Sequence, residues 1–141
     1  MAKNTFHCAI VTPTEAVLDE EVTYASIPAW DGQRGVMYGG SPMLTKLGTG
    51  PLRLDFAEGG SRTLLVDGGF AQFQNNSLSL LSDDAISEER INLEEAKAEL
   101  AEASARVMDA ANDREKVMRD QQRARVKVSI AEAFTAGGRA I

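Results

Sequence analysis

The chain has 141 residues, 43% of them hydrophobic and 26% charged, which suits one ordinary domain or a small domain with an appendage and excludes a disordered chain. Fifteen basic residues against 21 acidic ones leave a net charge of -6, which argues against a generic nucleic-acid binder, whose phosphate contacts need a basic surface. A single cysteine, Cys8, cannot form an internal disulfide and suits a reducing compartment. No apolar run approaches the roughly 18 residues of a membrane span, and the stretch from Cys8 to Val11 is too short for a signal peptide, so a soluble chain of cytosolic type is expected.

Up to about residue 82 the chain reads as short apolar runs broken by turn residues: Phe6–Val11, Val22–Ile27, Leu52–Phe56, Thr63–Val66, Phe70–Phe73 and Leu78–Leu81. Leu52 to Phe56 alternates apolar and polar with the period of two that a half-buried strand requires. Gly59-Gly60, Gly68-Gly69 and Asn75-Asn76 fall between runs, where a positive φ costs these residues least. Ten of the 12 glycines and all four prolines precede residue 83. Short strands at roughly ten-residue spacing predict an all-β sandwich of about ten strands over residues 1–86.

From Ser87 onward there is no proline, no glycine until Gly137, and alanine is the commonest residue. Asn92 is the expected N-cap of a first helix, with Glu95 placed to reach back as in a capping box. Leu93, Ala96, Leu100, Ala103, Val107 and Ala111 recur at steps of three and four. The pattern lapses at Ala111-Asn112-Asp113, where a tight turn is expected, and resumes with Val117, Gln121, Ala124, Val128 and Ala131. Residues 87–141 are therefore expected to form an antiparallel two-helix hairpin, making the chain α+β overall. Its alanine-rich seam lets the helices approach closely but buries little area per residue, so the pair is weakly held.

Charge divides along the same lines. Residues 1–87 carry net -5, residues 88–113 net -5 and residues 114–141 net +4. The basic second helix is either a solvated face or an arm that docks on an acidic partner; pattern alone leaves both open. Arg114, Lys116, Arg119, Arg123, Arg125 and Lys127 lack the interleaved aromatics of a single-strand nucleic-acid platform.

The search for catalytic chemistry is mostly negative. No phosphate-binding Gly-x-x-x-x-Gly-Lys-Ser/Thr, no Gly-x-Ser-x-Gly and no His-Glu-x-x-His occurs. With one histidine, any triad or His-rich metal site would depend on His7. His7 and Cys8 are neighbours in a predicted strand and point to opposite faces, His7 to the surface and Cys8 inward as a small hydrophobe. Asp83 and Asp84 are expected to cap a loop-to-helix transition; a catalytic carboxylate pair is the alternative. No metal and no cofactor is called for, and a binding or structural role is expected rather than an enzyme.

Two segments carry more than a class. Val22 to Thr45, through Pro28, Asp31-Gly32-Gln33-Arg34-Gly35-Val36, Tyr38-Gly39-Gly40-Ser41 and Pro42-Met43-Leu44-Thr45, resembles the first signature of the epsilon subunit of F-type ATP synthases. There, Asp-Gly-Glu-x-Gly-hydrophobic is followed by Tyr/Leu-Pro-Gly-His-x-Pro-hydrophobic-hydrophobic-Thr. Leu64 to Ile86, through Gly68-Gly69, Asn75-Asn76 and Asp84-Ala85, resembles the second signature. The likeness spans nearly the whole chain and includes the helical tail.

That resemblance implies a non-catalytic rotor subunit. The sandwich would bind the gamma subunit and the c-ring, passing torque between proton flow and the catalytic head. The hairpin would fold back or extend toward the alpha and beta subunits and restrain ATP hydrolysis. It implies no nucleic acid, and a membrane only indirectly, at the cytoplasmic face of a bacterial plasma membrane or its organelle equivalent. Gln33, Tyr38 and Ser41 are the candidates for the c-ring contact, and Arg114, Arg119 and Arg123 for the inhibitory one through charge-assisted pairs. The chain departs from the family where Ser41 replaces the histidine, Gly39 the proline and Gln33 the acid, and the loop is one residue shorter. Some bacterial members bind ATP with Ile/Leu-Asp-x-x-Arg-Ala; here the stretch reads Ile91-Asn92-Leu93-Glu94-Glu95-Ala96, and a carboxylate where arginine stood repels phosphate. No tight ATP site is expected. A stand-alone β-sandwich adaptor with a regulatory hairpin is the second reading, and a small hydrolase using Asp83 or Asp84 the third.

Overall fold

A computed structural model describes residues 4–106 and 111–135, which form two compact units, Met1–Ile86 and Ser87–Ile141. Nine strands are present among the described residues: β1 (Phe6–Val11), β2 (Ala16–Ala29), β3 (Gly32–Met37), β4 (Met43–Lys46), β5 (Thr49–Phe56), β6 (Ser61–Asp67), β7 (Phe70–Gln74), β8 (Ser77–Leu81) and β9 (Asp84–Ser87). They hydrogen-bond in the order β4-β7-β8-β1-β2-β5-β6-β9, with β3 on β2, and this path folds into a sandwich. All pairings between sequence neighbours are antiparallel, whereas β1 and β8 run parallel.

Alternation of side chains across each strand builds the core. Phe6, Cys8 and Ile10 of β1 meet Val22, Ala25 and Ile27 of β2, Leu52 and Leu54 of β5, Leu64 and Val66 of β6, Phe73 of β7, and Leu78 and Leu80 of β8. Phe6 and Phe73 pack edge to face with centroids 5.5 Å apart. The tight connections use the residues expected of them. Asn75 and Asn76 have φ of 51° and 55°, the left-handed pair that a two-residue hairpin needs to match strand twist, and Gly59, Gly60, Gly68 and Gly69 are all positive in φ.

Three strands lie outside the apolar runs. β3 is Gly-Gln-Arg-Gly-Val-Met, an edge strand with only Val36 buried. β4 is four residues long. β9 corrects the expectation that Asp83-Asp84 caps a helix: Asp83 is exposed in a bend and Asp84 opens a strand on β6. The bend is tied by Ser82, whose Oγ lies 3.0 Å from the Gly68 carbonyl oxygen and 2.7 Å from that of Asp84.

In the second unit a short 3-10 turn (Glu88–Arg90) precedes α1 (Leu93–Ala105), and α2 spans Ala111–Ala133. Asn92 is the N-cap of α1: its Oδ1 accepts from the Glu95 amide at 2.9 Å. Ala96 and Ala103 of α1 and Val117, Ala124 and Ala131 of α2 are buried, with Leu93, Leu100, Gln121 and Val128 partly so, as the two stripes predict. Val107 and the side chain of Ala111 lie outside the described residues. The turn expected at 111–113 is not there, because α2 already includes those residues. Residues that read as a break in the pattern thus open the helix.

Candidate interaction surfaces

One outer face of the sandwich is apolar along a register-defined row. Across β4, β7, β8 and β1, Lys46 pairs with Phe70, Phe70 with Leu81, and Leu81 with Val11. Inward neighbours alternate with these positions, so Phe70, Leu81 and Val11 stand on the outside, 56%, 61% and 39% exposed. Leu44 on the same face is 71% exposed, and Trp30, whose amide donates to the Lys46 carbonyl at 2.9 Å, is 68% exposed beside it. The next row is more polar, Leu44–Gln72–Ser79–Ala9, and the third, Gln74–Ser77–His7, is fully polar. Here His7 has Nε2 2.6 Å from Asp19 Oδ1 and Nδ1 3.2 Å from Glu21 Oε2. A contiguous group of large exposed apolar side chains is the mark of a partner surface rather than of scattered exposure.

Gln33, Tyr38 and Ser41 do not converge on one point. Gln33 lies near the start of β3, its Nε2 donating to Ser26 Oγ at 2.8 Å and to the Pro51 carbonyl at 3.3 Å. Tyr38 follows the end of β3, about 17 Å away at strand rise. Tyr38 and Ser41 share the loop between β3 and β4, both exposed. That loop is pinned where the Gly39 amide donates to Asn76 Oδ1 at 2.8 Å and the Gly40 amide to the Met37 carbonyl at 3.1 Å. Gly39 has a φ of 80°, so the glycine standing in place of a proline gives the shortened loop a left-handed step no proline could take. Ser41, Met37, Met43 and Phe73 line a small cleft of about 80 Å³ beside it.

The arginines of α2 also diverge. At 100° per residue Arg114 and Arg123 lie on opposite sides of the helix, with Arg119 on the same side as Arg123 within 40°. Arg114 and Arg119 are exposed, whereas Arg123 is partly buried in a cleft of about 130 Å³ with Glu99, Glu102, Ala103, Arg106 and Asp120. Around that cleft, Arg106 binds Glu102 at 2.5 Å and Asp120 at 2.6 Å, and Lys127 binds Glu99 at 3.1 Å. Bonds from Glu102 and Asp120 raise the Arg106 pKa further above its ordinary value. Gln121 Nε2 donates to the Ala103 carbonyl at 2.9 Å, closing the C-terminal end of α1. As α1 ascends through residues 99, 103 and 106, its partners descend through 127, 121 and 120, so the helices are antiparallel. Sequence patterning pairs these helices only by charge in bulk; the individual partners follow from the helix phases.

Cys8 is wholly buried, and burial, with Asp19 adding to it, pushes its thiol up to about 12. It is inert as a nucleophile at neutral pH. Among the described residues no three His, Cys, Asp or Glu side chains are grouped to hold a metal, and no helix is long and apolar enough to cross a membrane.

Residues 5–88 match the family described as ATP synthase, Delta/Epsilon chain, beta-sandwich domain. An ATP synthase epsilon chain of Synechococcus is 35% identical over 126 residues, 87% of this chain and 90% of that one. The chloroplastic ATP synthase epsilon chain of Pyropia yezoensis is 33% identical over 133 residues, covering 93% and 98%. In structure, a chain of the Euglena gracilis mitochondrial ATP synthase OSCP/F1/c-ring assembly is similar with a TM-score of 0.71 at 21% identity, covering 96% of this chain and 82% of that one. A chain of the Tetrahymena thermophila mitochondrial central stalk and c-ring is similar at 0.69 and 13% identity, covering 93% and 99%. At those identities the structural likeness speaks for the fold.

Proposed function

The chain belongs to the epsilon-chain family of ATP synthases, and from that premise we propose that it is a non-catalytic central-stalk subunit, coupling proton flow through a c-ring to ATP synthesis in the catalytic head. The sandwich binds the gamma subunit and the c-ring. The hairpin reaches the alpha and beta subunits when extended and restrains ATP hydrolysis. The chain is held at the membrane only through these partners, on the cytoplasmic face of a bacterial plasma membrane or the equivalent organelle side.

The observation that carries this reading is the apolar row of Phe70, Leu81 and Val11, with Leu44 and Trp30 beside it, on an otherwise acidic chain. Burying the exposed part of Phe70 and of Leu81 against a partner stabilises the complex by about 1–2 kcal/mol each. We assign this row to gamma, and the Tyr38–Ser41 loop and Gln33 to the c-ring as two separate contacts. Arg119 is exposed for an acidic surface of the head, and Arg123 joins it on the same side once α1 moves away; Arg114, on the opposite side of α2, makes a separate contact.

Size-exclusion chromatography of the full chain mixed with its gamma subunit tests the assignment. The unaltered chain co-elutes with gamma. Phe70→Asp with Leu81→Asp weakens the complex at least about tenfold while leaving the melting temperature nearly unchanged, because both side chains are exposed. Separate elution of the unaltered chain, or full binding by the double variant, contradicts it.

A further inference from the structure

The loop that leaves β3 at Tyr38 runs through two glycines in succession, Gly39 and Gly40, and glycine loses more conformational freedom on ordering than any other residue. Residues 38–42 are all exposed, so burial does little to fix them. The bond from the Gly40 amide to the Met37 carbonyl closes the turn only locally. The tie to another element comes from Asn76, whose Oδ1 accepts from the Gly39 amide at 2.8 Å across 37 positions of sequence. Asn76 stands second in the β7–β8 turn with a φ of 55°. Glycine is the cheapest residue there, since it takes a left-handed φ without strain. What asparagine adds to the turn is a side chain, and that side chain is engaged with Gly39. Its backbone carbonyl accepts from the His7 amide at 3.1 Å, so the turn that carries the tether is itself fixed to β1.

We infer that Asn76 is a positioning residue for the Tyr38–Ser41 loop: from the β7–β8 turn, its side chain holds the loop between β3 and β4 in one shape. With the tether in place, Gly39 keeps its left-handed step at a φ of 80°, and Tyr38 and Ser41 are presented in a fixed relation to the turn. Without it, the paired glycines sample other conformations. A partner that fits one shape must then order the loop as it binds, and its apparent affinity falls by the fraction of chains in that shape. The tether stands on the geometry of the turn alone; its consequence for the c-ring rests on the reading above that this loop meets the ring.

Four variants of the full chain test the inference. Asn76→Gly removes the side chain but suits the left-handed turn, so the fold and the melting temperature are kept. Asn76→Asp retains an oxygen acceptor for the Gly39 amide, Asn75→Gly makes the same exchange one residue away from the tether, and Tyr38→Ala removes a proposed contact group. Hydrogen exchange at the Gly39 amide, followed by NMR, should quicken about threefold to tenfold in Asn76→Gly and stay at its original rate in Asn76→Asp and Asn75→Gly. The Gly59 amide, bonded to the Phe56 carbonyl in a different turn, is the internal reference. Binding of the full chain, in complex with gamma, to detergent-solubilised c-ring should weaken by a similar factor in Asn76→Gly and recover in Asn76→Asp. Equal exchange at Gly39 in Asn76→Gly and in the unaltered chain overturns the proposal. So does ring binding that Tyr38→Ala weakens and Asn76→Gly does not. If exchange quickens in Asn76→Gly and neither variant weakens ring binding, Asn76 holds the loop and the c-ring reading falls.

Discussion

Gly69 has a φ of 100°, and a Cβ there would overlap the Leu81 carbonyl oxygen and lie 2.7 Å from Ser82 Cα. Gly59 has the same φ and open space around it. Gly69→Ala is therefore expected to cost at least about 2 kcal/mol in urea unfolding, against about 1 kcal/mol for Gly59→Ala, where only the backbone conformation is penalised. Both glycines read as turn residues in the sequence; that one also admits the β8 chain at close range depends on a register no local pattern carries. Cys8 offers a pH signature. Its thiol is neutral in the fold up to about 12 but ionises near 9 once unfolded, so the unfolded state binds fewer protons between those values. Stability should thus fall through that window as pH rises, by about 1.4 kcal/mol per unit from this group. Comparing urea melts of the unaltered chain and Cys8→Ala isolates the effect: the variant is less stable at pH 7 but lacks this slope. At the head of α1 the Asn92 side chain is engaged with the Glu95 backbone, and Glu95 places a carboxylate where a nucleotide phosphate would need a cation. Isothermal calorimetry with ATP should give no heat of tight binding, and Asn92→Ala should cost about 1 kcal/mol of stability.

At the scale of elements, what is legible follows from burial. β1, β5, β7 and β8 each bury alternate side chains, and their apolar runs predict them to within a few residues. β3 and the first half of β2, Ala16 to Glu21, are rich in charge or glycine and lie largely exposed, so they are strands by pairing rather than by pattern. The helix stripes are legible for the same reason as the strong strands. The start of α2 is not, because Asn and Asp serve equally in a turn and near a helix's start. The candidate surfaces divide in the same way. Arg114, Arg119 and Arg123 are a basic set in sequence, yet helix phase sends Arg114 and Arg123 to opposite sides. The apolar row is hidden, since Val11, Phe70 and Leu81 each sit at the end of a run that reads as core. Only the register that aligns β7, β8 and β1 brings them together on the outside.

For the whole molecule, net -6 combines an acidic sandwich and first helix with a basic second helix. The basic element meets its first acidic partner within its own chain, where Lys127 binds Glu99. The exposed apolar row and the charge-tied hairpin are the surfaces on which the proposal that the chain holds other proteins rests. Assembled complex lacking residues 88–141 should hydrolyse ATP faster than complex with the full chain, and equal rates would dismiss the inhibitory role. The central claim is membership of the rotor. It is tested most directly by tagging the full chain in its native cells, solubilising the membranes in mild detergent and identifying what it carries. The account predicts gamma, alpha, beta and c subunits recovered together with it, and a reduced recovery of gamma on Phe70→Asp with Leu81→Asp. Recovery of the chain alone, or with proteins outside the synthase, would contradict it.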